Sequence, residues 1–207
     1  MVVNARAFHQ NEPSEKSVLT SGLLGGALPE GASQTRPAKI LDFGAISADT
    51  VNALQTFFWG RLTVLDAIAS GSHLNDLLND PDADIERTRF LEDLFAPAIG
   101  QAYDLVLLWD FAGFFCEANL PWLDTWLDAL VTQNGYVHGF LCHNSTRKVE
   151  LKEWGLHSQS ELICKTLEGF VTYQHLRNQF TRHFRSFVIE KSVLLKDGRL
   201  EVLLKRK

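Results

Sequence analysis

The run Lys39-Ile-Leu-Asp-Phe-Gly-Ala-Ile-Ser-Ala-Asp-Thr50 constrains this chain more than any other segment. A short apolar strand reaches Asp42 and Gly44, and Ser47 or Asp49 then stands where the cap of a following helix is expected. Such a turn directs the first free backbone N–H groups of the helix toward whatever lies above the strand end. Glycine is expected at two further positions of a loop of this kind, because a ligand passes close to the backbone there. Ile46 and Ala48 occupy those positions instead. The segment therefore has the layout of a ligand-binding strand-to-helix turn and a side chain where the ligand should pass.

The rest of the chain repeats the strand-then-helix rhythm. Behind the first strand, Val51, Leu54, Phe57 and Phe58 recur at helical spacing, and Leu62-Thr-Val-Leu65 predicts a second strand ending at Asp66. A helical stretch is expected around Leu74 to Leu78 and a turn at Asn79-Asp-Pro-Asp82. Thr88 to Leu91 reads as a third strand with Glu92 and Asp93 at its end. Tyr103-Asp-Leu-Val-Leu-Leu-Trp109 is apolar on both faces, as a fully covered parallel strand should be, and ends in Trp109-Asp110. A helix starts near Asn119 with Pro121 in its first turn, Asn134-Gly135 stops it, and Tyr136 to Cys142 is a fifth strand. Trp154 to Phe170 reads as a helix. Two strands, Phe187 to Leu195 and Arg199 to Leu204, flank Lys196-Asp197-Gly198, and Asp-Gly in that setting is a strong hairpin signal. Residues 1–38 carry three prolines and no sustained periodicity, with one short helix expected near Lys16 to Leu24. They are read as an arm preceding a domain of residues 39–207.

Composition narrows the function classes. A chain of 207 residues, 45% hydrophobic and 22% charged, can bury one full core, and it has no apolar run of the length that spans a bilayer. No secretory signal is expected at the N-terminus, since Gly22, Gly25 and Gly26 break its apolar stretch. Cys116, Cys142 and Cys164 are odd in number and widely spaced, which suits a reducing cytoplasm and no zinc site. Nine acids against two arginines lie between Leu74 and Asp110, and nine Lys and Arg against three acids between Gln174 and Lys207. That acidic middle argues against a protein wrapped around nucleic acid. His138 and His143 flank Cys142 on a strand whose side chains alternate in direction, so no metal is expected there. The basic stretch around His175 and His183 is read as a solvated helix face.

Leu-Asp-Phe-Gly at 41–44, Leu-Thr-Val-Leu-Asp at 62–66, Phe-Leu-Glu-Asp at 90–93, Tyr-Asp-Leu-Val-Leu-Leu-Trp-Asp at 103–110 and the terminal hairpin occur in an order and spacing that resemble the class I S-adenosylmethionine-dependent methyltransferases. The resemblance runs from Lys39 to Lys207. It implies an α/β, Rossmann-like fold: a seven-stranded, mostly parallel sheet with helices on both faces and a C-terminal antiparallel hairpin, its last strand inserted antiparallel. It further implies S-adenosylmethionine across the carboxyl ends of the first strands, with Asp42, Gly44, Ala45 and Ile46 against its methionine and ribose portion. Asp66 would accept the ribose hydroxyls, Ala67 and Ile68 would border the adenine, and Asp93 would face the adenine amino group. Trp109 would form the floor beneath the sulfonium, with Asp110 beside it. Polar residues are also common at strand ends, and Trp109 reads more readily as core packing. The motif after the fourth strand, Asp110-Phe-Ala-Gly113, departs after its first residue from the pattern of amino-group methylating members.

Two functions follow. One is a cytoplasmic S-adenosylmethionine-dependent methyltransferase acting on a small molecule or protein. The other is a methyltransferase fold without its cofactor, serving as a protein-binding or regulatory partner and using its charged regions or a surface formed by Phe114, Phe115, Trp122 and Trp126. An open cavity above Gly44, bounded by Asp66, supports the first, and a cavity filled by Ile46 and neighbouring aromatic side chains supports the second.

Overall fold

The computed structural model describes residues 37–44, 48–58, 60–65, 67, 76–78, 80, 82–144, 149–158, 161–168 and 172–207. Residues 1–36 of the arm, with its expected short helix, lie outside the described residues, and Ala38 already belongs to the first strand.

Six strands form one sheet in the order β2-β1-β3-β4-β8-β7. Strand β1 (Ala38–Asp42) lies between β2 (Gly60–Val64) and β3 (Tyr103–Trp109), parallel to both, and β3 is parallel to β4 (Val131–Cys142). The terminal hairpin follows the sequence signal. β7 (Phe187–Leu194) and β8 (Arg199–Arg206) are antiparallel, and β8 is inserted antiparallel between β4 and β7. Its turn needs Gly198, whose φ of +93° lies in the left-handed region. Gly198→Ala is therefore expected to lower stability by about 1 kcal/mol, read as a shift in the urea midpoint.

Three sequence expectations are corrected. Residues Thr88 to Leu91 are not a strand: they lie inside helix α2 (Asp84–Phe95), and the sheet has six strands among the described residues. The reason is the spacing of the apolar side chains. Leu91 and Phe95 are buried and Phe90 and Leu94 pack beside them, an i, i+1, i+4, i+5 stripe that only a helix can turn to one side. Second, the stretch from Trp154 onward is a β-hairpin, β5 (Lys152–Ser158) paired antiparallel with β6 (Glu161–Thr166), not a helix. Trp154 and Leu156 are buried on one strand and Leu162 and Cys164 on the other, which is the period of two that identifies strands. Third, the helix before β4 ends earlier than Asn134-Gly135: α3 runs Leu120–Leu130, and β4 starts at Val131.

Both faces of the sheet are covered, which accounts for the apolar character of β3 on both sides. Leu41, Phe43, Val106, Leu108, Val137, Val202 and Leu204 face α2 and α3 through Leu91, Phe95, Leu123 and Leu127. Ile40, Leu105, Leu107, Trp109, Phe140 and Leu203 face α1 (Ala48–Phe58), whose Ala53 and Leu54 are buried among them. The β5–β6 hairpin completes this second layer through Trp154, Leu156, Leu162 and Cys164. Between α3's neighbours and β7 sits the short helix α4 (Arg177–His183). The hairpin lies over the carboxyl ends of β1 and β3, where its Trp154 carbonyl meets Gly44.

Candidate functional site

Strand β1 ends in Asp42, buried with no exposed surface. Its Oδ1 accepts two hydrogen bonds, from the Gly44 amide at 2.9 Å and from the Trp109 indole Nε1 at 2.7 Å. Its Oδ2 has no partner among the described atoms. Burial raises the Asp42 carboxyl to about 6, opposed by the bonds from Trp109 and Gly44 and by the nearby His138. A carboxyl held above its unfolded value binds its proton more tightly when folded. The stability this contributes is fully present below pH 3.8 and is lost as the pH rises through about 6. Asp42→Asn keeps the acceptor oxygen and removes the ionisation. It is expected to flatten this part of the pH–stability curve and to gain on the order of 3 kcal/mol relative to wild type at neutral pH. Parallel urea curves for the two proteins between pH 4 and 8 would reveal it, and identical pH slopes would refute the assignment.

Trp109 terminates β3 with φ of +52°, a left-handed conformation that costs a bulky residue about 1–3 kcal/mol and persists only where the surroundings enforce it. Here that conformation carries the indole back over the sheet to Asp42. Its ring meets His138 edge-on at 5.1 Å and stacks near Phe140 at 6.1 Å. His138 Nε2 in turn donates to Glu201 Oε1 at 2.7 Å, with both side chains wholly buried. A polar string, Asp42, Trp109, His138 and Glu201, thus crosses four strands on the face covered by α1.

A second string holds the hairpin. Asp110 Oδ2 accepts from the Lys152 amide at 2.9 Å, the Trp154 indole at 2.9 Å and Arg199 Nη2 at 3.1 Å, while Arg199 Nε approaches Oδ1 at 3.3 Å. The Arg199 guanidinium also bonds to Asp197 and to the Glu150 carbonyl and lies 5.3 Å from the centre of the Trp154 ring. Asp110 and Arg199 are both buried, so the pair is desolvated and fully bonded.

These two strings close the space above Gly44. A Cβ placed on Gly44 would lie 2.5 Å from Trp109 Nε1 and 2.5 Å from the Trp154 carbonyl oxygen. The hollow that remains, lined by Phe43, Gly44, Trp109, Asp110, Lys152 and Trp154 among others, is about 10 Å³, enough for about one water. A neighbouring hollow between Asp110, Cys142, Glu150, His175 and Arg199 is about 30 Å³. Sites for small organic ligands are roughly 300 Å³ or more. Neither hollow, as bounded by the described residues, reaches that size. Gly44→Ala is expected to cost about 1–3 kcal/mol, because the added methyl meets a backbone carbonyl that cannot rotate away. Thermal denaturation of the variant would measure it.

The sequence-predicted residues fare unevenly. Gly44, Trp109 and Asp110 line one hollow, the Trp109 indole bonds to Asp42, and Asp110 faces the hairpin. Ala67 is buried, its amide donating to the Leu65 carbonyl at 2.7 Å. Asp93 does not stand at a strand end. It is exposed on α2, because the segment that carries it is helical. Ala45, Ile46, Asp66 and Ile68 lie outside the described residues. Phe114 and Phe115 form no exposed aromatic surface: both are buried, and Trp122 and Trp126 pack against Phe95 at 6.2 and 4.9 Å. Sequence reasoning missed Trp154, Arg199 and Glu201. The alternation around Trp154 was a usable signal, whereas nothing in the sequence joins Asp110 to Arg199.

No protein-family model and no curated protein matches the chain. Several solved structures are similar. The pyocyanin biosynthetic protein PhzM is 14% identical with a TM-score of 0.48, over 84% of this chain and 52% of that one. The 1,6-didemethyltoxoflavin-N1-methyltransferase of Burkholderia thailandensis, with bound 1,6-didemethyltoxoflavin and S-adenosylhomocysteine, is 14% identical with a TM-score of 0.47, over 91% and 76%. The glycopeptide N-methyltransferase MtfA, complexed with S-adenosylmethionine, is 11% identical with a TM-score of 0.46, over 98% and 100%. The chain spans about half the length of the first of these. At such scores the superpositions carry no argument, and the strand order with β8 inserted antiparallel decides. The fold is methyltransferase-like. Within this methyltransferase-like domain, the carboxyl ends of β1 and β3 carry the chain's own aromatic side chains. Among the described residues no helix is long and apolar enough to cross a membrane.

Proposed function

We propose that this methyltransferase-like domain does not hold S-adenosylmethionine in the position usual for the fold and serves as a binding or regulatory partner of another protein. The observation that carries this reading is the Trp109 indole, bonded to Asp42 at 2.7 Å in the space over Gly44. Ile46 and Ala48, in place of glycines, point the same way from the sequence. The methyl-transfer step needs mainly proximity and orientation of its two reactants, and a cleft of about one water's volume orients neither. Charged faces remain for a protein partner. Glu86, Glu92 and Asp93 are exposed on α2, and Arg177, Arg182 and Arg185 are exposed on or just after α4.

Titration calorimetry with S-adenosylmethionine, and separately with S-adenosylhomocysteine, tests this. The expected result is no heat and no thermal stabilisation at millimolar ligand. Micromolar binding would overturn the proposal and return the chain to the S-adenosylmethionine-dependent methyltransferases, with the substrate then to be sought.

A further inference from the structure

The β5–β6 hairpin is a two-stranded sheet of its own, outside the six-stranded one. A two-stranded hairpin is marginal alone in water, so its place depends on what holds it. On the helix side, Thr50 Oγ1 accepts the Leu156 amide at 3.0 Å and donates to the Leu156 carbonyl at 3.4 Å. Gly155 fits against this hydroxyl because it has no Cβ, which would lie 2.6 Å from Thr50 Oγ1. On the sheet side, three polar links converge on one carboxylate, and Lys152 Nζ also lies 4.0 Å from Asp197 Oδ2 in the turn between β7 and β8. Asp110 receives the Lys152 amide and the Trp154 indole of the hairpin, and the Arg199 guanidinium of β8. Arg199 is itself fixed by Asp197 and the Glu150 carbonyl, and so joins the hairpin's root to the turn between β7 and β8. The result sets the Trp154 carbonyl over Gly44, at the carboxyl ends of the strands, where ligands of open α/β sheets bind.

We propose that the β5–β6 hairpin is an autoinhibitory strap over the carboxyl ends of β1 and β3, with Asp110 as its clasp. Loss of the Asp110 carboxylate lets the hairpin open locally and uncovers Gly44 and Asp42, while the six-stranded sheet stays formed. The proposal rests on the closed-cleft reading given above. It has a physical basis in unequal attachment. Strands β1, β3, β4 and β8 each have paired neighbours on both sides and buried side chains on both faces. Among the described residues, the two strands of the hairpin pair only with each other. Elements attached in this way open sub-globally, at a lower free energy than the sheet to which they are fastened. Asparagine at 110 keeps the shape of the clasp. Whichever way its amide is turned, an NH2 donor replaces an acceptor facing Arg199, and the charge that balances Arg199 is gone.

Hydrogen exchange of the full chain, followed by mass spectrometry, compares wild type with Asp110→Asn. Exchange in 152–166 and at Gly44 is expected to become at least about tenfold faster, with 38–42, 103–107 and 200–204 within about twofold of wild type. Uniform acceleration of all these segments would make Asp110 an ordinary stabilising residue, and no acceleration would show that the clasp lies elsewhere; either overturns the strap. Thr50→Val, which removes the bonds to α1 and leaves Asp110 intact, is expected to affect 152–166 less than Asp110→Asn does, and the reverse order also overturns it. Should Asp110→Asn fail to fold, Arg199→Lys, which keeps the charge and loses the planar fork, is expected to show the same selective acceleration, and its absence has the same meaning. Binding of S-adenosylmethionine by the unaltered chain would sink the closed-cleft reading without changing these rates. A uniform exchange response would sink the strap and leave that reading standing.

Discussion

Trp109→Ala is expected to destabilise the domain by about 3–5 kcal/mol, the range for truncating a large buried aromatic. Three losses combine. The indole is 2% exposed and fills the space between β1, β4 and the hairpin. Its Nε1–H is one of two donors to a carboxylate that is wholly buried, so its removal leaves Asp42 with the Gly44 amide alone. Its packing on His138 and Phe140 is lost with it. Relief of the left-handed backbone returns only part of this, because alanine is also disfavoured at φ of +52°. Trp109→Phe separates the contributions, since it keeps most of the volume and deletes the hydrogen bond. Its expected cost is about 1–3 kcal/mol. Urea unfolding of both variants at pH 7 gives the comparison. Equal costs would mean that the bond to Asp42 dominates and packing contributes little, contrary to the geometry described here.

Glu201→Leu is expected to cost about 3–5 kcal/mol, because it leaves His138 buried with neither ring nitrogen bonded. The double variant His138→Leu, Glu201→Leu should recover most of that loss. Replacing both partners of a buried pair by apolar side chains of similar volume is often neutral, and these two sit on adjacent antiparallel strands among Trp109, Phe140 and Leu203. A double-mutant cycle built from urea midpoints should therefore show strong coupling, on the order of 2 kcal/mol or more. Simple additivity would mean that the two side chains act independently despite their 2.7 Å separation.

The two tryptophan anchors differ in how they could be found from residues alone. Trp109 stands at the end of a strand that is apolar on both faces, so its location at the carboxyl edge of the sheet was legible. The direction of its ring was not, since that depends on one left-handed φ angle enforced by Asp42, His138 and Phe140 from two other strands. Trp154 lies in a stretch whose alternation signals a strand, yet a run of Leu, Ile and Cys of that length also suits a buried helix. Pairing with the run from Leu162 to Cys164, and the surface offered by α1, select the strand. Asp93 shows the opposite case. Phe90-Leu91 followed by two acids matches a strand end by residue type, while the helical stripe that continues to Leu94 and Phe95 governs the outcome.

By itself the sequence determined the parallel strands β1 to β4, the antiparallel terminal hairpin and the candidate turn at Asp42 and Gly44, because these rest on local periodicity and turn chemistry that neighbouring residues carry in full. Only the tertiary structure decided which side chains meet at Gly44. Their arrangement depends on Trp109 reaching Asp42 across 67 residues and on Asp110 meeting Trp154 and Arg199 across 44 and 89. Contacts of that range are selected by the packing of the whole core, and no local pattern records them.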